Sequence, residues 1–406
     1  MATFFFACRA VLLCGFACRN MLLDQFAALD QLLVDHRHLW QIDPFHLTDY
    51  PVTWETGLVQ WLEQQSLDQL AGFTPGLFDA APAPLPSSDR WQSLTRVPER
   101  RLSSRIDDRF FSQHIPGRKW QQIQYFAGAT PLPEGAVLEW CAGKGHLGRL
   151  LAHTSGQPVT SLEWQDALCQ AGNALARQKQ LDQRFVCTDV LSTGIEAHFT
   201  HHHTAVALHA CGDLHLNLIR HWPASGVLAC APCCYHLSAT PEPLSDAGKR
   251  SALGLRARDL HLPLQEFVTG GAGSRRLRDR QLLWRMAFDA WQRAHRGVDE
   301  YLPLPTLKTS QLNDSVLAFF QWAAEEKGLA LAPDFDPAPW LAKGQARADR
   351  VRRMEWVSHW FRRPLELWLV LDRALLLEQK GAAVEVVAFC PYHLTPRNLL
   401  IIAKGL

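Results

Sequence analysis

A glycine-rich segment at residues 139–148 is the strongest candidate in the sequence for a ligand-binding loop. It reads EWCAGKGHLG and places Gly143 and Gly145 two residues apart. Glycine lacks a Cβ, so the backbone can turn sharply there and lie directly against a ligand. Because a purely structural turn has the same composition, a glycine loop alone is a weak signal.

Two acidic residues further along the chain suit the same ligand. Glu163 ends a predicted strand about 20 residues after the loop, where a carboxylate can accept hydrogen bonds from both ribose hydroxyls of an adenosine. Asp189 ends the next predicted strand, where an acid can meet the adenine amino group. Either acid alone would fit an ordinary solvated strand end. Together with the glycine loop, they predict a cofactor that contains adenosine.

Short apolar runs alternate with helical stretches from residue 135 onward, which is typical of an α/β fold with parallel strands. The predicted strands are 136–140, 159–164, 185–190, 204–210 and 226–231, followed by 383–389 and 398–403 after a helix at about 365–379. The last two must pair antiparallel, because a parallel return needs a crossover of a dozen or more residues. This antiparallel final hairpin distinguishes the predicted sheet from that of an ordinary dinucleotide-binding Rossmann domain.

Helical regions flank this predicted core. Apolar residues at three-to-four spacing predict helix from Met21 to about Leu70, and a proline-rich stretch ends it at 79–88. The segment between the fifth and sixth strands is too long for a structureless loop and has helical patterns at 275–296, 310–327 and 342–360. We therefore predict a helical N-terminal region (1–104), a core (105–236), a helical substrate-facing insertion (237–363) and a return helix with the hairpin (364–406).

The composition narrows the functional class. The 406 residues are 47% hydrophobic, and a net charge of +1 excludes the general cationic surface of a nucleic-acid coat protein. Eleven cysteines without regular spacing favour reduced thiols, hence a cytoplasmic protein. Residues 4–18 look like a signal peptide, but Arg9 interrupts an apolar run shorter than the roughly 20 residues of a membrane helix. We expect no membrane anchoring, and Met21 is an alternative start.

Three motifs together resemble the family called methyltransferase domain 32. They are EWCAGKGHLG at 139–148, HACGDL at 209–214 and APCCYH at 231–236. This family includes methyltransferase-like and glutathione S-transferase C-terminal domain-containing proteins, and is related to eukaryotic tRNA 2′-O-methyltransferases. The resemblance covers roughly residues 105–237 and the final hairpin. It implies a Rossmann-like class I methyltransferase fold with a seven-stranded sheet, and S-adenosylmethionine as cofactor, held by Glu139, Ala142, Gly143, Gly145, Glu163, Asp189 and His209.

Further residues are predicted to handle the acceptor. Arg118 and Lys119 resemble the basic pair of a Lys-Lys-x-x-Glu-Ile stretch in this family, although Gln122 replaces its glutamate. We expect the pair to steer an anionic substrate and Cys234 to contact the substrate as well. Methyl transfer is an in-line displacement, so positioning supplies much of the catalysis. The groups expected to orient or deprotonate the acceptor are Asp213, Tyr235 and His236. His209 would also suit a hydrogen-bonded turn.

The cysteines after the fifth strand allow two other interpretations. Cys230, Cys233, Cys234 and His236 could bind zinc, but one short strand end cannot easily wrap four ligands tetrahedrally. A thiolate could instead attack a pyrimidine, which requires a lowered thiol pKa. We expect tight packing of these cysteines and no metal site.

RNA is the leading hypothesis for the acceptor, because guanidinium groups bind phosphates and aromatic rings stack on unpaired bases. The insertion contains Arg275, Arg276, Arg278, Arg280, Arg285, Arg293, Arg296, Arg347, Arg350, Arg352, Arg353, Arg362 and Arg363, with Trp356, Trp360 and Phe361. Nearby acidic residues and the general excess of arginine over lysine fit a solvated helix face equally well. A protein or small-molecule acceptor, an NAD-dependent oxidoreductase and a non-catalytic RNA-binding scaffold stay as alternatives, and the oligomeric state is not predicted.

Overall fold

The computed structural model describes residues 21–71, 75–100, 111–113, 115–265, 272–305 and 315–405. The segment that looks like a signal peptide and the predicted boundary at residue 104 lie outside these residues. The described helices are α1 (21–35), α2 (Arg37–Trp40), α3 (Thr56–Gln64), α4 (Leu67–Leu70), α5 (Pro75–Asp79), α6 (Ser88–Thr95), α7 (Gly117–Ala129), α8 (His146–Ser155), α9 (Asp166–Gln178), α10 (Asp213–His221), α11 (Asp246–Arg250), α12 (Ala272–Arg296), α13 (Val316–Glu326), α14 (Ala338–His359) and α15 (Arg362–Gln379). Within the described residues, no helix combines the length and the apolar character needed to cross a bilayer.

A seven-stranded sheet forms the centre of the fold. Its strands are β1 (Val137–Glu139), β2 (Val159–Glu163), β3 (Gln183–Cys187), β4 (Thr204–Cys211), β5 (Val227–Cys233), β6 (Ala383–Ala388) and β7 (Leu399–Lys404). They lie in the order β3-β2-β1-β4-β5-β7-β6. The first five strands are parallel, whereas β7 runs antiparallel to both β5 and β6. The α/β class I methyltransferase fold, with its final hairpin, is therefore confirmed.

The sheet is buried because helices cover both of its faces. Every residue of β1, β2 and β5 is buried, as expected for parallel strands between two helical layers. On one face, Phe126 of α7 and Leu150 of α8 pack in one cluster with Val206 of β4 and Ile402 of β7. Helix α10 packs on β4, and α15 packs on β6 and β7. This rigid frame fixes the strand ends on which the candidate site is built.

The chain divides into two compact units whose boundaries differ from the predicted ones. The first holds residues 21–34, 92–265 and 362–405, and the second holds 35–91 and 272–361. The predicted N-terminal region is thus split, because α14 packs against α2 and α4 within the second unit. Arg353 of α14 also donates to the Leu62 carbonyl at 2.9 Å. Such long-range helix contacts carry no signal in the local pattern.

Candidate active site

The loop after β1 has a backbone that few residues other than glycine adopt easily. Gly143 and Gly145 have φ angles of +58° and +63°, in the left-handed region. A Cβ added at Gly145 would lie 2.3 Å from the Phe185 ring, so packing alone requires glycine there. A Cβ added at Gly143 would meet no atom within 4 Å. The backbone at Gly143 is therefore an open surface against which a ligand can lie.

Glu163 stands beside this open backbone, as the sequence predicts. Its Oε2 accepts the Gly143 N–H at 2.9 Å, and its Oε1 accepts the Gln165 N–H at 3.0 Å. A carboxylate has about four lone-pair sites, so each oxygen can still accept one further hydrogen bond. The side chain is fixed from two sides and still able to receive two hydroxyl groups.

Asp189 lies two residues beyond the end of β3 and is exposed. Its Oδ1 accepts the Leu191 N–H at 2.9 Å, which orients the carboxylate. Both acids act on the Cys141 thiol of the loop. Burial, together with the charges of Glu163 and Asp189, raises the pKa of Cys141 to about 12. Both predicted adenosine contacts are therefore within electrostatic range of the loop.

Glu139 occupies a different place from the one predicted, because it faces the protein interior and not the open side of the loop. It accepts the Gly148 N–H (2.9 Å) and the Ser161 hydroxyl (2.6 Å), with Gln183 Nε2 at 3.4 Å. Burial raises its pKa in spite of these hydrogen bonds. Glu139 thus holds the start of α8 in place from the buried side of the loop. Ala142 is likewise engaged through its backbone, since its N–H donates to the Leu162 carbonyl.

The Gly148→Ala substitution tests this buried network. An added Cβ would lie 2.4 Å from Glu139 Oε2 and 2.6 Å from Gln183 Nε2. We expect overpacking to cost about 1–3 kcal/mol and to lower the melting temperature measured by circular dichroism. Gly117→Ala is the control, because a Cβ there meets no atom within 4 Å. Equal melting temperatures for the two variants would contradict this role of Glu139.

Basic side chains surround the first turn of α8. Burial, together with the charges of Arg149, Lys119 and Lys144, lowers the pKa of His146 to about 4. The pKa of His209 is also lowered, first because surrounding protein desolvates the ring and then by Lys119. Lys119 and Lys144 are both exposed, so they form a basic rim beside the loop. Arg118 is exposed as well, but its Nε donates to the Leu394 carbonyl.

The three predicted acceptor-side groups lie in different environments. Asp213 is half-buried, and both its oxygens lie within 3.2 Å of the Ala239 N–H, so it ties the chain after β5 to the start of α10. Tyr235 is fully buried, with its ring 5.2 Å from the Arg373 guanidinium carbon. The prediction that Tyr235 faces the acceptor is therefore wrong. His236 is half-buried against the His261 ring, 4.6 Å between centroids.

Three cysteines meet at the ends of β4 and β5. The Sγ atoms of Cys211, Cys233 and Cys234 all lie within 4.8 Å of one another, and those of Cys211 and Cys233 are 3.4 Å apart. Cys230 and His236 are not part of this group, so the four-residue zinc ligand set considered as an alternative is not assembled. Hydrogen bonds from Cys233 and Cys211 lower the pKa of the half-buried Cys234, and burial opposes them only in part.

Alkylation with iodoacetamide tests the ionisation of Cys234. A thiolate reacts and a thiol does not, so a pKa lowered to about 5 keeps Cys234 reactive at neutral pH. We expect its labelling rate to be nearly constant over about two pH units, from about pH 8 to about pH 6, and to fall only as the pH approaches the lowered pKa. The labelling rate of glutathione, whose thiol has a pKa of about 8.5 typical of a free thiol, should fall continuously as the pH is lowered over the same range. The measurement is peptide mass spectrometry of reduced, chelator-treated protein; a parallel slowing of both thiols would refute the lowered pKa.

The aromatic residues proposed to stack on RNA bases are in the core of the second unit. Trp356, Trp360 and Phe361 are each 1% exposed or less, so the prediction of a stacking platform is wrong. The arginines of the insertion differ in exposure: Arg276, Arg278 and Arg280 are exposed, whereas others are engaged inside the protein. Arg347 forms an ion pair with the buried Asp289, and Arg353 donates to a backbone carbonyl. Arg275 has no described side chain.

Several residues that shape this site were missed from the sequence. Ser161 and Gln183 support Glu139 only because β1, β2 and β3 are in parallel register, with Glu139 opposite Ser161. Cys211 joins the other cysteines because it is the register partner of Cys233. The strand assignment could have suggested that pair, since both cysteines follow the ends of neighbouring strands. Cys141 and His146 carried no separate signal.

Comparison with known proteins bears on the same segment. A family model described as a methyltransferase domain matches residues 118–241, and this is the family that the three motifs resemble. No curated protein sequence matches the chain. Matching solved structures include geranyl diphosphate methyltransferase in complex with GPP and sinefungin, with 17% identity, coverage of 28% of this chain and 44% of that chain, and a TM-score of 0.25. Geranyl diphosphate C-methyltransferase from Streptomyces coelicolor A3(2) matches with 16% identity, coverage of 33% of this chain and 55% of that chain, and a TM-score of 0.24. An rRNA methylase from Streptococcus thermophilus matches with 14% identity, coverage of 29% of this chain and 71% of that chain, and a TM-score of 0.23. The chain spans about half the length of the two geranyl diphosphate methyltransferase structures. Residues 118–241, which hold the glycine loop, both flanking acids and the cysteine group, thus match a methyltransferase domain.

Proposed function

We propose that the protein is a methyltransferase that binds S-adenosylmethionine at the loop after β1. The observation that carries this proposal is the pairing of open backbone at Gly143 with the Glu163 carboxylate, which accepts the Gly143 N–H. A flat backbone surface and a fixed acid at the carboxyl ends of parallel strands are the features that bind an adenosyl ligand in open α/β sheets.

The acceptor groups around the loop fit this cofactor. Glu163 keeps one lone-pair site on each oxygen for the two ribose hydroxyls, and the exposed Asp189 carboxylate can accept from an adenine amino group. The backbone at Gly143 leaves the space that a Cβ would otherwise fill. When bound, the cofactor supplies an electrophilic methyl group on its sulfonium. The protein would contribute mainly position and water exclusion, because the displacement itself needs no acid.

Isothermal titration calorimetry of the purified chain tests the cofactor. We expect binding of S-adenosylmethionine and of its demethylated product, and no binding of NAD. Absence of binding by both sulfur ligands would overturn the proposal. Binding of NAD alone would favour an oxidoreductase, although the antiparallel β7 argues against a dinucleotide-binding sheet.

RNA is the acceptor class that we propose, and the basic rim of Lys119 and Lys144 supports it. Both lysines are exposed and close enough to His146 to lower its pKa, so they present positive charge next to the loop. Phosphate groups are attracted to such a rim without requiring the aromatic platform that is buried elsewhere. Mass spectrometry of nucleosides from total RNA, with and without the gene, should show the loss of one methylated nucleoside. Unchanged RNA would refute an RNA acceptor and favour a protein or small molecule.

The lysine pair can also be tested directly. We expect the Lys119→Ala/Lys144→Ala variant to bind RNA more weakly and to reduce the slope of log affinity against log salt by about 2, one per lost phosphate contact. Binding of S-adenosylmethionine should persist. The control is Lys249→Ala/Lys404→Ala, which removes the same charge from exposed positions outside the rim. Equal slopes for both double variants would exclude the rim as the RNA contact. RNA binding with no methyl transfer to any acceptor would indicate a non-catalytic scaffold.

A further inference from the structure

The cysteine group at the ends of β4 and β5 has an arrangement that neither the cofactor nor the acceptor proposal uses. Among the residues that the structure describes, Cys211, Cys233 and Cys234 form the one group of three metal-ligating side chains whose ligand atoms all lie within 4.8 Å. None of the three is in a disulfide. We propose that these three sulfurs bind a single thiophilic metal ion, Zn(II) or Cu(I).

Sheet register and one unusual backbone angle bring the three sulfurs together. Cys211 and Cys233 are the last residues of adjacent parallel strands and are paired in register. Side chains of successive strand residues point to opposite faces, so Cys234 would ordinarily point away from Cys233. Its φ of +48° is in the left-handed region and breaks that alternation. A non-glycine residue in this conformation is uncommon, and here it places a third sulfur beside the other two.

The distances suit one shared ion. A zinc–sulfur bond is about 2.3 Å, so two sulfurs on the same ion are separated by about 4 Å. The observed limit of 4.8 Å between any two sulfurs, and the 3.4 Å between Cys211 and Cys233, require only small side-chain adjustments to reach that geometry. Soft thiolate ligands select zinc and cuprous ions over magnesium and calcium, which prefer oxygen.

The burial of the three residues suits an ion that exchanges with solvent or substrate. Cys233 is 5% exposed and anchors the group, whereas Cys211 and Cys234 are half-buried and leave the ion a route of entry. Three protein ligands leave the fourth position of a tetrahedral zinc ion open, as in catalytic zinc sites. Water or an acceptor atom could take that position. The binding of the ion itself does not depend on the methyltransferase proposal.

Cobalt titration of the full chain tests the site. The protein is reduced, stripped with a chelator and titrated with Co(II) without oxygen, then with Zn(II); a second arm uses Cu(I) against a chromogenic chelator. We expect one ion per chain, thiolate-to-cobalt charge-transfer bands in the ultraviolet and displacement of cobalt by zinc. Tight binding in only one arm identifies which of the two ions the site takes, and either result supports the proposal.

Substitutions assign the ligands. Cys211→Ser and Cys234→Ser are chosen because both side chains are half-buried, so that folding is expected to persist. Each should weaken metal binding by more than about 100-fold, since even indirect partners of a ligand contribute 10- to 100-fold. Cys187→Ser is the control, because Cys187 is exposed and outside the group. Calorimetry of S-adenosylmethionine on the same samples separates a failure here from a failure of the proposed function.

Three results would overturn the proposal. The first is that reduced wild-type protein binds neither Co(II) nor Cu(I) at one ion per chain. The second is that the Cys187→Ser variant loses metal binding to the same extent as Cys211→Ser. The third is that protein isolated under reducing conditions, analysed by peptide mass spectrometry, carries a Cys211–Cys233 disulfide, which the 3.4 Å sulfur separation would also permit after a small movement.

Discussion

The Glu163→Gln substitution is expected to weaken the binding of S-adenosylmethionine by about 100-fold or more. Glu163 already accepts two backbone N–H groups, and in the proposed complex it would accept two ribose hydroxyls as well. An amide cannot serve all four, because one of its two heavy atoms is a donor. Each hydrogen bond to a charged group contributes about 1.5–3 kcal/mol, and 1.4 kcal/mol is tenfold in affinity. The amide nitrogen loses its ribose hydrogen bond, and the ribose bond to the remaining oxygen is no longer strengthened by a negative charge, so the two effects together reach the expected magnitude.

The matched control is Asp166→Asn, which removes the same charge three residues away. Asp166 is exposed in the first turn of α9 and accepts only a side-chain hydrogen bond from Gln170. We expect its affinity for the cofactor to stay within about threefold of wild type, since exposed charges contribute little. Both variants are measured by calorimetry, with circular dichroism to verify folding. If a folded Glu163→Gln variant bound as tightly as Asp166→Asn, Glu163 would not be a cofactor ligand.

The strand pattern and the final hairpin could be predicted from the sequence because both depend on local information. Alternation of apolar runs and helical stretches identified seven strands, and the short connection between β6 and β7 required antiparallel pairing. Glu163 was located for the same reason, since carboxyl ends of neighbouring parallel strands meet at one edge. The end of β3 was less accurate: the strand closes at Cys187 and leaves Asp189 in the following loop.

Side-chain burial and strand register could not be predicted from the sequence. These two properties determine where the other candidate site residues lie. Trp360 directly follows an arginine-rich helix and fits either a core or a stacking surface; only packing within the second unit shows that it is buried. Tyr235 lies in a motif that resembles an acceptor-side segment, yet its ring lies against Arg373 inside the fold. The cysteine group depends on the pairing of Cys211 with Cys233 and on the left-handed backbone at Cys234. The strand assignment could have suggested the pair, but a single sequence does not show the left-handed backbone that adds the third sulfur.

Gly143→Ala is the sharpest test of the open loop, because the fold itself would tolerate the added methyl group. A Cβ there meets no atom within 4 Å, so the unliganded protein bears only the cost of a left-handed alanine, roughly 1–2 kcal/mol. In the proposed complex the same methyl group would occupy the surface on which the cofactor lies. Crowding of that kind costs about 1–3 kcal/mol. We therefore expect a loss of about 10- to 100-fold in affinity for S-adenosylmethionine.

Gly156→Ala separates the backbone cost from the ligand effect. Gly156 ends α8 with a φ of +69°, and an added Cβ likewise meets nothing within 4 Å, so the two variants have matched strain in the same helix and loop region. Melting temperatures should fall by similar amounts in both, whereas cofactor affinity should fall only in Gly143→Ala. Equal affinities in the two variants would mean that no ligand lies against Gly143. A loss in both would mean that α8 itself, and not the exposed backbone of the loop, governs binding.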